Sequence, residues 1–176
     1  MPLVRYATGG YICTSPFPYD GIFRRAVLNF KFHNCGAYAE LLSHEMVRSI
    51  KDVYRDREFD LVTCVPMHKD TLRKRGYNQA ELLAKECASL LGIEYADLLA
   101  KTKKNKTQHS IKAAERVKNV IGVYSPIDKN LIKGKRILII DDIITTGSTL
   151  GECARILNKC KCGEICCCTL CTSLLI

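Results

Sequence analysis

The chain has 176 residues, a formal net charge of +9 and 47% hydrophobic residues. This length suits one substantial core, so we predict a single domain over residues 1–176. No stretch reaches the roughly 18 to 20 continuous apolar residues of a membrane span, and the N-terminus lacks the apolar core of a signal peptide. The sequence therefore predicts a soluble cytoplasmic protein without membrane contact, and its charge suits an anionic ligand or a nucleic acid.

The first half of the chain predicts helices and one strand after an irregular start. Glycines and prolines interrupt residues 1–19, which we expect to be irregular. Basic and apolar residues predict a helix over residues 20–32 and a second helix from residue 36. A buried strand is predicted over residues 61–65, and the clearest helix over residues 78–91. The inner face of that helix would carry Ala80, Leu83, Ala84, Cys87, Leu90 and Leu91.

The second half alternates strands and helices around one polar stretch. Short strands are predicted over residues 95–99, 120–124 and 136–140, with a polar, basic stretch at residues 101–119. A helix follows Ser148. This alternation predicts an α/β fold, with a mainly parallel twisted sheet flanked by helices on both faces. Ligands of such sheets bind at the carboxyl ends of the strands.

Eleven cysteines require an interpretation, because six of them lie near the C-terminus. Without an export signal, reduced thiols are expected rather than a disulfide framework. Zinc is one alternative, but paired C-x-x-C knuckles are missing. We favour a buried strand over residues 165–172, in which cysteine acts as a small hydrophobic residue.

A buried strand, an acidic pair and a hydroxyl-rich loop follow one another over residues 136–149. Asp141 and Asp142 stand at the end of the strand, and Gly147 allows the loop backbone to approach a ligand. Backbone N–H groups and the dipole of the next helix favour an anion. Adjacent carboxylates repel each other, so we favour a ligand site over an ordinary turn with two solvated aspartates.

The second informative segment covers residues 64–84, where a strand ends and a cation-rich loop precedes a helix. Arg73 and Arg75 are candidates to bind a diphosphate, because one guanidinium group can donate two parallel hydrogen bonds to phosphate oxygens. His68 is the one histidine that we place near the ligand.

The run from Ile137 to Thr149 resembles the phosphoribosyl diphosphate (PRPP) motif of the type I phosphoribosyltransferases. The resemblance implies that Asp141 and Asp142, the catalytic pair, hold the ribose 2′- and 3′-hydroxyls. The residues implied for the 5′-phosphate are Thr145, Thr146, Gly147, Ser148 and Thr149. Those implied for pyrophosphate are Val65, Pro66, Met67, His68, Lys69, Arg73 and Arg75.

Three further segments resemble the ComF family, the competence-associated phosphoribosyltransferase-like proteins. These are the Arg-x-Arg-Gly-Tyr-Asn-Gln-Ala run from Arg73, the segment of residues 19–32, and the segment of residues 107–119. Many members begin with a four-cysteine zinc module, and only Cys13 stands near where that module would end. The chain either lacks the module or has been trimmed.

The resemblance implies Mg²⁺-assisted loss of pyrophosphate from PRPP and capture of the ribosyl cation by a nitrogen nucleophile. Mg²⁺ would be carried by PRPP, with Asp141 and Asp142 as its protein contacts. Residues 101–119 suit a mobile flap in which Lys103, Lys104 and Arg116 supply cations, and a solvated basic loop is an equal alternative. Purine-salvage relatives carry an aspartate where Thr145 stands, which disfavours purine transfer of that kind.

Two functions follow from these observations. The first is a PRPP-dependent phosphoribosyltransferase with an unidentified acceptor. The second is a non-catalytic PRPP or nucleotide sensor that acts in DNA uptake or processing, with DNA as a partner. Basic clusters favour DNA, but aromatic residues do not interleave with them as single-strand stacking requires. The sequence leaves the oligomeric state open, a homodimer included.

Overall fold

The computed structural model describes residues 1–32, 36–103 and 120–173. Its strands are β1 (Leu3–Ala7), β2 (Tyr11–Ser15), β3 (Phe17–Pro18), β4 (Leu61–Cys64), β5 (Glu94–Tyr95), β6 (Leu99–Lys101), β7 (Tyr124–Pro126), β8 (Arg136–Ile144) and β9 (Glu164–Thr172). Its helices are α1 (Gly21–Phe32), α2 (Gly36–Val53), α3 (Lys69–Arg75), α4 (Gln79–Leu91), α5 (Lys129–Ile132) and α6 (Ser148–Lys159).

Within those residues, a seven-stranded sheet has the order β1-β2-β9-β8-β4-β5, and β3 pairs with the end of β9. The strands from β2 to β5 in this order run parallel, whereas β1 pairs antiparallel with β2 at the edge. The predicted α/β fold with a mainly parallel sheet is confirmed.

Residues of the central strands alternate between two hydrophobic layers, as the period of two in a strand requires. Val62 and Leu138 pack with residues of α1, α2 and α4 on one face. Leu61 and Ile137 pack with residues of α6, β6 and β7 on the other. Both faces are therefore covered, which explains why β4 and the first part of β8 are continuously apolar.

The prediction of irregular structure for residues 1–19 was wrong. β1 and β2 form a hairpin with Gly9 and Gly10 at its turn, both at positive φ. The Tyr54 hydroxyl donates to the carbonyl oxygens of Ile12 at 3.0 Å and Cys167 at 2.7 Å, across the β2–β9 pair. Pairing with β9 and contacts from α2 thus stabilise strands whose own sequence is interrupted by turn residues.

The strands predicted around residues 95–124 are displaced. The chain forms β5 and β6 where one strand was expected, and residues 120–123 form a turn in which Val123 N–H donates to the Val120 carbonyl. Gly122 has φ of 71°, which ends extended structure there. β6 and β7 pair antiparallel in a separate two-stranded sheet. Of the predicted flap, residues 104–119 lie outside the described residues, and Lys103 is exposed.

The cysteine-rich C-terminal segment forms a buried strand, as predicted. Cys166, Cys167 and Cys168 have no exposed surface in β9, and burial raises the pKa of the Cys167 and Cys168 thiols. In the described part of the chain, no group of three or more His, Cys, Asp or Glu side chains is placed to hold a metal ion. No helix there is long and apolar enough to cross a membrane.

Candidate active site

The candidate site lies where β4 ends and β8 continues. β8 was predicted to stop at Ile140, but it runs on through the acidic pair to Ile144 because β9 pairs with it to the end. β4 stops at Cys64, and Val65 N–H makes the last bond of that ladder to the Ile140 carbonyl at 3.0 Å. The chain after Val65 therefore leaves the sheet and opens a cleft beside the two aspartates.

A cavity of about 270 Å³ occupies this cleft. Its walls come from the end of β4, α3, the start of α4, the β6–β7 pair, β8 and α6. The lining residues are Val65, Pro66, Met67, His68, Thr71, Arg75, Asn78, Gln79, Ala80, Lys101, Tyr124, Asp141, Asp142 and Thr149.

The acidic pair lines the cavity. Asp141 accepts a hydrogen bond at Oδ1 from Asp142 N–H at 2.8 Å, and both residues are partly buried. Mg²⁺ takes oxygen ligands and usually keeps waters and substrate phosphates among them. Two carboxylates in a polar cavity therefore fit an Mg²⁺ ion that arrives with a phosphorylated ligand, rather than one held in a protein cage.

The loop before α6 is shaped for close backbone approach. Gly147 has φ of 73°, and a Cβ there would lie 2.7 Å from the Ala7 Cα. The hairpin turn rests on this loop, because Thr8 N–H donates to the Gly147 carbonyl at 3.2 Å. Gly147 is the N-cap of α6 and has no side chain to cap it, and Ser148 N–H makes a long hydrogen bond of 3.4 Å to the Thr146 hydroxyl. A helix start of this kind can bind an anion through its backbone N–H groups.

The segment after β4 is held by α3 and α4. The Asn78 side chain caps α4 by accepting from Ala80 N–H at 3.2 Å, and its Nδ2 donates to the Val65 carbonyl at 3.1 Å. Arg75, at the end of α3, donates from Nη1 to Gln79 Oε1 at 3.1 Å. These bonds fix the guanidinium group on the wall of the cavity.

Lys101 and Tyr124 line the opposite wall, and the sequence did not identify them as site residues. They are direct partners in the β6–β7 pair, and Lys101 Nζ lies 5.5 Å from the centre of the Tyr124 ring. Burial lowers the pKa of Lys101, while the nearby thiol of Cys153 and the carboxylate of Asp141 oppose that shift. Burial also raises the pKa of Tyr124.

A buried glutamate joins α6 to the turn before β7. Glu152, in α6, accepts from Gly122 N–H at 2.9 Å and pairs with Arg155 at 2.6 Å. The Arg155 hydrogen bond is the main reason that the pKa of Glu152 lies below its ordinary value. This contact holds the turn that immediately precedes Tyr124, which lines the cavity.

The cavity brings together part of the set proposed from the sequence. The predicted residues that line it are Val65, Pro66, Met67, His68, Arg75, Asp141, Asp142 and Thr149. Thr145, Thr146, Gly147 and Ser148 lie beside it in the loop and first turn of α6. Lys69 and Arg73 do not line it; they are exposed on α3, a helix that replaces the predicted cationic loop. Lys104 and Arg116 lie outside the described residues.

Asn78 and Gln79 also line the cavity, and the sequence analysis did not predict them as site residues. Asn78 was expected to open a helix, and its cap geometry places it in the cavity wall. Gln79 follows it directly. The pair Lys101 and Tyr124 has no local signal, because 22 intervening residues separate two partners that meet only through strand pairing.

Comparison with known proteins identifies the fold family. Residues 77–174 match the phosphoribosyl transferase domain. The chain belongs to the phosphoribosyltransferase family. Competence protein F of Haemophilus influenzae is 31% identical over 79% of this chain and 63% of that protein. Competence protein ComFC of Bacillus subtilis is 30% identical over 86% of this chain and 60% of that protein. These matches confirm the resemblance to the ComF family.

The chain spans about three fifths of the length of these two relatives. Among solved structures, it is similar to glutamine phosphoribosylpyrophosphate amidotransferase from B. subtilis, complexed with ADP and GMP. That likeness has a TM-score of 0.54 and 18% identity, and covers 80% of this chain and 30% of that chain. That likeness shows that the two chains share a fold.

Proposed function

We propose that this protein binds PRPP and transfers its phosphoribosyl group to a nitrogen nucleophile with release of pyrophosphate. The observation that carries the proposal is the single cavity lined by Asp141, Asp142, Thr149, Arg75 and the segment after β4. Acidic oxygens for ribose hydroxyls, a helix N-terminus for a phosphate and a guanidinium group for a diphosphate lie within one ligand-sized space.

Each part of the chain has a defined task in this reaction. The carboxylates of Asp141 and Asp142 accept hydrogen bonds from the ribose 2′- and 3′-hydroxyls. The loop and first turn of α6 bind the 5′-phosphate through backbone N–H groups. Arg75, held by Gln79, neutralises negative charge that develops on the departing pyrophosphate. Fixing both ends of PRPP leaves C1 open to attack by the acceptor.

Mg²⁺ is the expected cofactor. Bound to the diphosphate and approached by Asp141 or Asp142, it would offset charge on the leaving group. We expect the protein to act in the cytoplasm, since buried reduced thiols such as Cys13, Cys64 and Cys153 suit a reducing compartment.

Calorimetric titration with PRPP, with and without Mg²⁺, tests the proposal. We expect Mg²⁺-dependent binding to the parent chain. Asp141→Asn/Asp142→Asn should weaken it by about a hundredfold, since hydrogen bonds to charged groups are worth about 1.5–3 kcal/mol each. Asp52→Asn/Asp56→Asn is the matched control, because it removes the same charge from exposed positions outside the cavity.

The outcomes separate the alternatives. Loss of binding in the cavity variant alone would support the site and justify screening amine acceptors for pyrophosphate release. A well-folded parent that does not bind PRPP would refute the proposal. Equal weakening in both variants would mean that net charge, rather than the acidic pair, governs binding.

A second candidate is a PRPP or nucleotide sensor that acts on DNA. Lys69, Arg73 and Lys74 are exposed on α3, beside the cavity wall that carries Arg75. The salt dependence of binding to a labelled DNA oligonucleotide tests it. Steep dependence that survives saturating PRPP would support a separate DNA surface, whereas competition by PRPP would place DNA phosphates in the ligand cavity.

A further inference from the structure

A second cavity lies between the end of α2, the end of α4 and the segment that leads into β4. We call it the α2–α4 cavity. Its volume is about 420 Å³, compared with about 270 Å³ for the cavity beside the acidic pair, and the two share no lining residue. β4 begins at Leu61 beside the α2–α4 cavity and ends at Cys64 beside the candidate active site, so the two cavities lie at opposite ends of the sheet. The lining residues are Ile50, Lys51, Tyr54, Arg55, Arg57, Glu58, Phe59, Leu91 and Ile93.

The inner wall of the α2–α4 cavity is apolar and partly aromatic. The Tyr54 and Phe59 rings meet edge to face, with their centroids 5.8 Å apart. Ile50, Leu91 and Ile93 complete this wall, and all five side chains belong to the hydrophobic layer that α2 and α4 form on the sheet. Protein sites for small molecules are typically cavities of about 300–1,000 Å³ with mainly apolar walls and a few polar groups. The α2–α4 cavity has this size and this kind of wall.

Two of the charged side chains at the rim of the cavity are already paired. Arg57 donates to the Glu164 carboxylate, and its guanidinium carbon lies 5.8 Å from the centre of the Tyr54 ring. Glu58 forms an ion pair with Arg136 at 2.9 Å. Neither Arg57 nor Glu58 therefore brings an unmatched charge to the cavity.

The other two charged side chains of the rim are cations without an acidic partner among the described residues. Lys51 is exposed in the last turn of α2, and Arg55 is exposed two residues after that helix. Arg55 Nε donates to the Asp52 carbonyl at 3.2 Å, which leaves Nη1 and Nη2 as donors for another group. The rim therefore carries two unmatched positive charges beside an apolar wall.

We propose that the α2–α4 cavity binds a small aromatic anion, with its ring against Phe59 and its acidic group at Lys51 and Arg55. The apolar wall favours an apolar body, because the surfaces of both leave water on binding. An aromatic ring can also pack edge to face or offset against the Phe59 ring. The two cations favour a carboxylate, sulfonate or phosphate over a neutral group. This site is separate from the PRPP cavity, so the inference does not depend on the proposed function.

Naphthalene-1-sulfonate is a suitable probe, because it joins an aromatic body to one negative charge. Naphthalene-1-sulfonamide has nearly the same shape without the charge. The chain contains no tryptophan, so fluorescence anisotropy can follow the naphthalene group without that background. The parent chain should bind the sulfonate roughly three- to tenfold more tightly than the sulfonamide, because two solvent-exposed charge contacts contribute modestly each.

Two variants test the charged rim and the apolar wall separately. Lys51→Gln/Arg55→Gln should lower the sulfonate affinity to that of the sulfonamide, whose own affinity should stay the same. Ile93→Thr places a hydroxyl in the apolar wall and should weaken both probes roughly three- to tenfold. Lys133→Gln/Lys161→Gln is the matched control, because it removes the same charge from exposed positions that do not line the cavity. The thermal unfolding midpoint checks that each variant is folded.

The outcomes decide both whether the site exists and where it lies. Sulfonate affinity that is unchanged by saturating PRPP would support a separate cavity, whereas displacement by PRPP would overturn the inference. A parent that binds the two probes equally, or binds neither, would also overturn it. Equal loss in the Lys51/Arg55 variant and the Lys133/Lys161 control would do the same. A parent that binds the sulfonate selectively but does not bind PRPP would support this inference and refute the proposed function.

Discussion

Replacement of Gly151 by alanine tests the contact between the N-terminal hairpin and α6. Gly151 lies in the first turns of α6, and a Cβ there would lie 2.2 Å from the carbonyl oxygen of Thr8 and 2.7 Å from its Cβ. An ordinary carbon–oxygen contact is about 3.3 Å or longer, so the hairpin would have to move away by roughly 1 Å. The nearest atoms include rigid backbone, so side-chain rotation cannot relieve the clash.

Two opposite effects decide the sign of the change. Alanine in a helix interior is favoured over glycine by about 1 kcal/mol. Overpacking against backbone costs about 1–3 kcal/mol, and displacement of the hairpin also breaks the bond from Thr8 N–H to the Gly147 carbonyl. We therefore expect a net destabilisation of about 1–3 kcal/mol, with ribose 5-phosphate bound roughly three- to tenfold more weakly.

Urea unfolding followed by circular dichroism gives the free energy of unfolding, and calorimetry gives the ribose 5-phosphate affinity. Asn158→Ala is the control, because residue 158 is exposed in the same helix and alanine there should be neutral or slightly stabilising. If Gly151→Ala were as stable as the parent and bound ribose 5-phosphate equally well, the hairpin would not rest on α6, and this reasoning would be refuted.

Two further predictions concern the stability of the scaffold. Tyr54→Phe removes the hydroxyl that bridges β2 and β9 and should cost about 1–2 kcal/mol in urea unfolding, while Tyr38→Phe at an exposed position should change little. Glu152→Gln should be less stable than the parent at neutral pH, because the Arg155 bond lowers the pKa of Glu152 below its ordinary 4.5. The folded-state pKa lies below the unfolded one, so this stabilisation is present above about pH 4.5 and is lost as the pH falls through the folded-state value. Parent and variant should therefore converge in acid, and a difference that is constant from pH 7 to 3 would contradict the interpretation.

The sequence by itself was sufficient for the elements whose signals are contiguous. The apolar run before Asp141, the loop with Gly147 and the amphipathic pattern after Ser148 predicted a strand, a tight loop and a helix in the order observed. The buried cysteine strand was predicted in the same way. Local patterns succeed there because a buried strand and an amphipathic helix each carry their periodicity within ten residues or so.

Expectations failed where structure depends on a distant partner. β8 extends through the acidic pair because β9 pairs with it, and β1 and β2 form because β9 and Tyr54 hold them. Strand pairing depends on neighbours that no single window contains. The cationic loop is a different case: it is a helix because His68 caps its start and Gly76 ends it in the left-handed conformation, and both signals lie within the segment itself.

For the site, the sequence determined which chemical groups stand at the end of β8 and after β4, because each set is fixed by a short run of residues. Only the tertiary structure decided that Arg75 lines the cavity while Arg73 is exposed to solvent, since the orientation of α3 determines which of its sides borders the cavity. It also decided that Lys101 and Tyr124 close the opposite wall. Their meeting results from β6–β7 pairing, a contact between segments far apart in the chain that leaves no local pattern behind.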